Sequence, residues 1–197
     1  TVNGGKISTS GTNYSYGINV DGDITVNGGE IVTNEKSYGY SSGIRYGNNY
    51  ALVSATGDVT VTGGNITTNG HSGYIVNVGR TYSSNKQTVS ITGGTFANNL
   101  SEVEQTEGGH NAPALVWEGN DKPVTATITN GDFSGFSANL LRKNAEGTTL
   151  TVSGGTFDVE VNDEYLAEGF EQVENSDGTF GVAVKPEGNI QVGYFTA

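Results

Sequence analysis

The chain has no cysteine and no methionine, and only one tryptophan and three prolines among 197 residues. Without cysteine there can be no disulfide scaffold and no thiolate zinc site. Charge is sparse at 15%, and the nine Lys and Arg residues are scattered. Phosphate backbones are held by clustered cations, so nucleic acid is excluded as a partner. Long apolar runs are missing too. A stretch such as Ala114-Leu115-Val116-Trp117 falls far short of the roughly 20 residues a bilayer-spanning helix needs, so no membrane insertion is expected.

What the chain does contain is 31 Gly, 24 Thr, 16 Ser and 21 Asn. Strong helix formers are correspondingly few, which excludes a helix bundle and points to an all-β chain. Net charge is -12, and it is uneven: residues 1–97 carry five acids and five bases, residues 98–197 sixteen acids and four bases. That excess favours solubility and a loose attraction for cations. No signal peptide is recognisable, and Thr1-Val2 opens partway through a motif that recurs later, so the chain is expected to be a mature or excised part of a longer one.

The motif returns six times. Its copies are Thr1-Val2-Asn3-Gly4-Gly5-Lys6-Ile7, Ile24-Thr25-Val26-Asn27-Gly28-Gly29-Glu30-Ile31, Val59-Thr60-Val61-Thr62-Gly63-Gly64-Asn65-Ile66, Val89-Ser90-Ile91-Thr92-Gly93-Gly94-Thr95-Phe96, Ala126-Thr127-Ile128-Thr129-Asn130-Gly131-Asp132-Phe133 and Leu150-Thr151-Val152-Ser153-Gly154-Gly155-Thr156-Phe157. The first turn positions, 4, 28, 63, 93, 130 and 154, are spaced by 24, 35, 30, 37 and 24 residues. A coil of fixed minimum size with loop insertions of different length gives such a series. A second apolar element lies between copies: Ile18-Asn19-Val20, Ala51-Leu52-Val53, Tyr74-Ile75-Val76-Asn77-Val78, Ala114-Leu115-Val116 and Leu140-Leu141.

Gly-Gly and Asn-Gly between alternating residues also signal a β-hairpin. The segment after each turn carries only one or two apolar residues, however, so the preferred reading is a right-handed single-stranded parallel β-helix, a β-solenoid of about six coils. Each coil would supply three short strands, stacked about 4.8 Å from those of its neighbours. Alternation then sends Ile24, Val26, Ile31, Val59, Val61, Ile66, Val89, Ile91, Phe96, Ile128, Phe133, Leu150, Val152 and Phe157 inward, and Thr25, Thr60, Thr62, Ser90, Thr92, Thr127, Thr129 and Thr151 outward. Residues 1–157 form the coils on this reading, and residues 158–197 an acidic C-terminal capping segment. In that segment Asp163–Phe170 suits one helical turn closed by Gly169, and an Asn175-Ser176-Asp177-Gly178 turn suits a β-hairpin cap.

Strands ending in Ser/Thr-Gly-Gly-Thr-Phe, followed by Tyr165-Leu166-Ala167-Glu168-Gly169-Phe170 and Val173-Glu174-Asn175-Ser176-Asp177-Gly178-Thr179-Phe180, resemble the pectate-lyase-like β-helix modules of large bacterial cell-surface proteins. The resemblance covers nearly the whole chain. It implies an extracellular location, at the cell surface or secreted, and a role as stalk, adhesin or glycan binder. No catalytic residue carries over from it.

Chemistry is sparse. Carbohydrate cleavage on such a fold needs carboxylates converging on Ca²⁺ beside a basic residue, or an Asp cluster. The only close acidic pair in the repeats, Asp21-Gly22-Asp23, suits a turn and lacks the ligand order of a calcium loop. His71 and His110 are distant loop residues with no cysteine near them, no nucleophile-elbow motif frames a serine, and no phosphate-binding glycine pattern occurs. No catalytic residue, metal site or cofactor is therefore expected, and the chain reads as a non-enzyme. The alternative is a lyase or hydrolase fragment whose further coils complete an active site.

Eight of the ten tyrosines fall within the first 82 residues, among Ser, Asn and Gly. That mixture is used by recognition loops, since the ring gives contact area at low entropy cost and sugar rings stack on it. Tyr14, Tyr16, Tyr38, Tyr40, Tyr46 and Tyr50 are the candidate ligand-binding residues, with a glycan or host-surface molecule as partner. The same rings can instead pack their loops against the coils. The outward Thr columns raise ice binding as a lesser reading, because Asp23, Asn27, Ser90 and Ser153 interrupt them.

Overall fold

The structure, a computed structural model, describes residues 1–11, 16–35, 38–40, 43–45, 53–55, 57–69, 75–78, 87–99, 114–118, 122–143 and 145–186. Strands are numbered along the chain. Sheet A contains β3 (Ile24–Val26), β8 (Val59–Val61), β11 (Gln87–Ile91), β14 (Val124–Ile128) and β17 (Thr149–Val152). Sheet B contains β1 (Lys6–Gly11), β4 (Glu30–Glu35), β9 (Asn65–Thr68), β12 (Thr95–Asn98), β15 (Asp132–Ser134) and β18 (Thr156–Phe157), then β20 (Phe180–Val184) and β19 (Phe170–Glu174). Sheet C contains β2 (Ile18–Val20), β7 (Val53–Ala55), β10 (Val76–Val78), β13 (Val116–Glu118) and β16 (Leu141–Arg142). A separate pair, β5 (Tyr38–Tyr40) and β6 (Gly43–Arg45), lies between β4 and β7 in the chain.

The protein is all-β with parallel sheets. Among the described residues, from β3 to β18 the chain passes A, B, C repeatedly in one order, interrupted only by β5 and β6. Strands before and after each Gly-Gly corner belong to different sheets and pair in parallel with their counterparts, so the corner does not close a hairpin. The register reproduces the motif spacing. Ile7, Ile31, Ile66, Phe96, Phe133 and Phe157 stand opposite one another in turn along sheet B, and Val26, Val61, Ile91, Ile128 and Val152 along sheet A.

All fourteen positions read as inward are buried. They join the strand residues of sheet C, among them Val76, Val78, Val116 and Leu141, in one apolar cluster. Phe96, Phe133 and Phe157 stack in a file, with ring centroids 4.9 and 4.8 Å apart and interplanar angles of 8° and 12°. Each such pair contributes about 0.5–1.5 kcal/mol beyond area burial.

The corner between sheets A and B explains its own sequence. Gly64 has φ +101°, and a Cβ there would lie 3.1 Å from the carbonyl oxygen of Gly29 in the strand connection stacked before it. An L side chain would be strained by the backbone and crowded by its neighbour. Every connection from A to B is three residues long, namely 27–29, 62–64, 92–94, 129–131 and 153–155.

Along sheet B the parallel pattern ends at β18. β20 pairs antiparallel with β18, and β19 antiparallel with β20, around the Asn175–Gly178 turn. The helical turn is shorter than the sequence suggests. A 3-10 turn spans Asp163–Tyr165 and stops at Leu166, which adopts extended geometry and bridges Val152 in parallel, while the Ala167 amide donates to the Val152 carbonyl at 2.8 Å. Sheet pairing at the edge of β17 thus ends the turn before Gly169 is reached. Gly169, at φ +81°, instead leads into β19.

Candidate functional site

With the A-to-B connection fixed at three residues, length variation falls on the two connections flanking sheet C. The tyrosine-rich insertions are there. Tyr14 and Tyr16 fall between β1 and β2, and Tyr38, Tyr40, Tyr46 and Tyr50 between β4 and β7. β2 and β7 are paired neighbours, with Ile18 opposite Val53, so both insertions deliver the chain to adjacent strands of one sheet.

Tyr16 stands just ahead of β2 with 37% of its surface exposed. Tyr38 and Tyr40 lie on β5, paired antiparallel with β6 so that Tyr38 is opposite Arg45 and Tyr40 opposite Gly43. This insertion therefore carries its own strand pair, separate from the three larger sheets. Tyr14, Tyr46 and Tyr50 lie outside the described residues, as do His71 and His110.

Two acidic residues ahead of sheet A serve the backbone. An Asp23 carboxylate oxygen accepts the Asp58 amide at 2.8 Å, and an Asp58 oxygen accepts the Thr88 amide at 2.7 Å, tying successive approaches to sheet A together. Among the described residues no group of three or more His, Cys, Asp or Glu side chains is placed to hold a metal ion.

Two groups with displaced proton affinity sit in the C-terminal segment, away from the tyrosine insertions. Burial pushes the Tyr165 phenol up, Glu164 adds to that, and a backbone hydrogen bond with Leu141 opposes it. The Thr179 hydroxyl and then the Thr179 amide hold the Asp177 carboxyl below the ordinary carboxylate range. Both reflect local architecture.

The outer face of sheet A is the most regular surface. Thr25, Thr60, Ser90, Thr127 and Thr151 stand in register across all five strands, and none of those strands carries a charged residue. Several hydroxyls on and beside this face already have partners within it. Thr62 donates to the Asn27 side chain at 2.8 Å, Thr127 to the Val89 carbonyl at 3.4 Å, and Thr92 to the Val61 carbonyl at 3.5 Å.

One file of polar residues was not anticipated. Asn99 donates to Asn69 at 2.8 Å, Asn69 to Asn34 at 2.7 Å, and Asn34 to the Thr9 carbonyl at 3.4 Å, linking four successive ends of sheet B. The signal was in the sequence: each Asn follows the second glycine of its corner by five residues, at Gly29, Gly64 and Gly94.

Fold and surfaces together define an all-β protein with parallel sheets and tyrosine-bearing insertions ahead of adjacent strands of one of them. Comparison with protein-family models, curated proteins and solved structures finds no match to the chain.

Proposed function

We propose that the chain is a right-handed parallel β-helix of six coils, capped at its C-terminal end by the β19–β20 hairpin, and that it acts as a non-enzymatic rigid spacer or adhesin at a bacterial cell surface. The observation that carries this reading is the constant order of three parallel sheets, with stacking offsets equal to the motif spacing. A coil cannot bury its apolar face alone, so each holds its neighbours in place, and six coils span roughly 25 to 30 Å. The resemblance of the Gly-Gly-Thr-Phe strands and closing segment to pectate-lyase-like surface modules supports the location.

The grouping of Tyr16, Tyr38 and Tyr40 at the approaches to β2 and β7 supports an adhesive contact through these insertions. A glycan suits them because sugar rings stack on phenol faces while Ser, Asn and Gly adapt around the ring hydroxyls. A glycan-array screen of the chain against a Tyr38→Ala/Tyr40→Ala/Tyr46→Ala variant tests this. Retention of one glycan class by the parent, lost in a variant of unchanged circular dichroism, is the expected result. Equal retention by both removes the insertions from the contact, and a blank array leaves the spacer role alone.

A further inference from the structure

The two ends of the stack are built differently. At the C-terminal end all three sheets receive a covering segment. Leu166 and Ala167 lie along β17, β20 lies along β18, and the Asn162 amide donates to the Ala138 carbonyl at 3.3 Å beside sheet C. Val161 and Tyr165 are buried there and close the core.

At the other end β1 and β2 are edge strands of sheets B and C, and sheet A finishes in the single bridge from Val26 to Val2. Val2, Ile7, Ile18 and Val20 are only partly buried. Further along the same files Val26, Ile31, Val76 and Val78 are fully covered. The apolar ladders thus run out at this face.

Gly4 adds a separate observation. A Cβ at its counterparts Gly28, Gly63, Gly93 and Gly154 would lie 3.0, 2.8, 2.7 and 2.1 Å from a carbonyl oxygen of the preceding connection. Asn130 holds this place in the fifth copy. At Gly4 a Cβ would meet nothing within 4 Å, and its φ is not among the positive ones. No contact within the described chain favours glycine there, whereas a coil stacked on its open side would crowd a side chain, as at four of the five counterparts.

From these observations, and resting on the β-helix reading above, we infer that the face formed by Val2, β1 and β2 is the docking surface for one more coil of the same repeat, stacked in parallel and carried by the same polypeptide. Parallel stacking of a second copy would need that copy's C-terminal end. There the antiparallel β19–β20 hairpin takes the place that a parallel strand would occupy at the end of sheet B, and Glu171 and Glu174 put charge on that edge. Two copies meeting through their N-terminal faces would run antiparallel and would bring no coil corner to Gly4.

Duplicating residues 3–26 ahead of Asn3 adds one 24-residue coil in register and tests the proposal. Amide hydrogen exchange of the original Lys6–Gly11 should slow by about ten-fold or more. Gly4→Ala, harmless to the melting temperature of the parent chain, should lower that of the extended chain as Gly28→Ala lowers that of the parent. Unchanged exchange at Lys6–Gly11, or an extended chain less stable than the parent, overturns the proposal. Sedimentation of the parent should show a monomer; a dimer that protects Lys6–Gly11 would give the face to a second copy and overturn it as well. The β-helix reading fails separately if Gly28→Ala, Gly63→Ala and Gly93→Ala are all harmless.

Discussion

The carboxamide of Gln172 pairs with the backbone of Val161 at both ends: Oε1 accepts the Val161 amide at 2.6 Å, and Nε2 donates to the Val161 carbonyl at 2.5 Å. A side chain on β19 thereby does for residue 161 what a neighbouring strand does elsewhere. This joins the hairpin to the segment that covers sheet C.

Gln172→Glu keeps the size but replaces the donor with a carboxylate oxygen facing a carbonyl. A half-buried pair of this kind should cost about 1–3 kcal/mol, read as a lower urea midpoint with an unchanged slope. An unchanged midpoint would mean that the pair does not anchor the hairpin.

Val61 lies between Val26 and Ile91 in the Val26, Val61, Ile91, Ile128, Val152 file and has no exposed surface. Val61→Asp places an unpaired charge there, and the loss should exceed about 4 kcal/mol, enough to unfold much of the chain at 25 °C by circular dichroism. Thr60→Asp, one residue away on the outer face, should be far milder. If Val61→Asp leaves the melting transition in place, the inward register is wrong.

Asn69 both gives and receives a hydrogen bond in the file of Asn34, Asn69 and Asn99. Asn69→Ala should lower stability by about 1–2 kcal/mol, whereas Asn99→Ala, which breaks only one of these links, should lower it by about half as much. Thermal melts of the two variants measure the difference, and equal effects would show that the file is not a connected ladder.

The raised proton affinity of Tyr165 has an alkaline consequence. The folded phenol keeps its proton where the unfolded one, with an ordinary value of about 10, loses it. The folded state then binds more protons, and stability falls as pH rises through that value toward the folded one. Urea unfolding of the parent should weaken more steeply above about pH 10 than that of Tyr165→Phe; parallel pH profiles would contradict the burial of this phenol.

Much of the fold was legible because its repeats place the same demand on each copy. Alternation around Val59-Thr60-Val61 and its counterparts assigned fourteen positions that are all buried, though not others such as Val124, Phe136 and Val161, and the Gly-Gly corners marked where the chain leaves sheet A. The apolar element between copies foretold sheet C, although four of its five strands begin late in the run, as at Val53 and Val76. Less legible were buried polar residues. Gln87, which donates to the Gly57 carbonyl at 3.2 Å, and Thr148, which accepts the Val124 amide at 3.2 Å, have partners 24 or more residues away that no local pattern reveals. The short 3-10 turn was misjudged for the same reason, since Val152 decides where it stops. Of the candidate tyrosines, sequence supplied the composition. Their grouping ahead of β2 and β7 depends on strand pairing across 35 residues.

The proposed stacking of coils can be measured directly because the chain has no cysteine of its own. Spin labels on cysteines replacing Thr25 and Thr151 would sit on the outer face of sheet A, four strand spacings apart. Double electron–electron resonance should give one narrow distribution near 19 Å plus the label arms, four steps of about 4.8 Å. A broad distribution, or a mean twice as long, would contradict the stack.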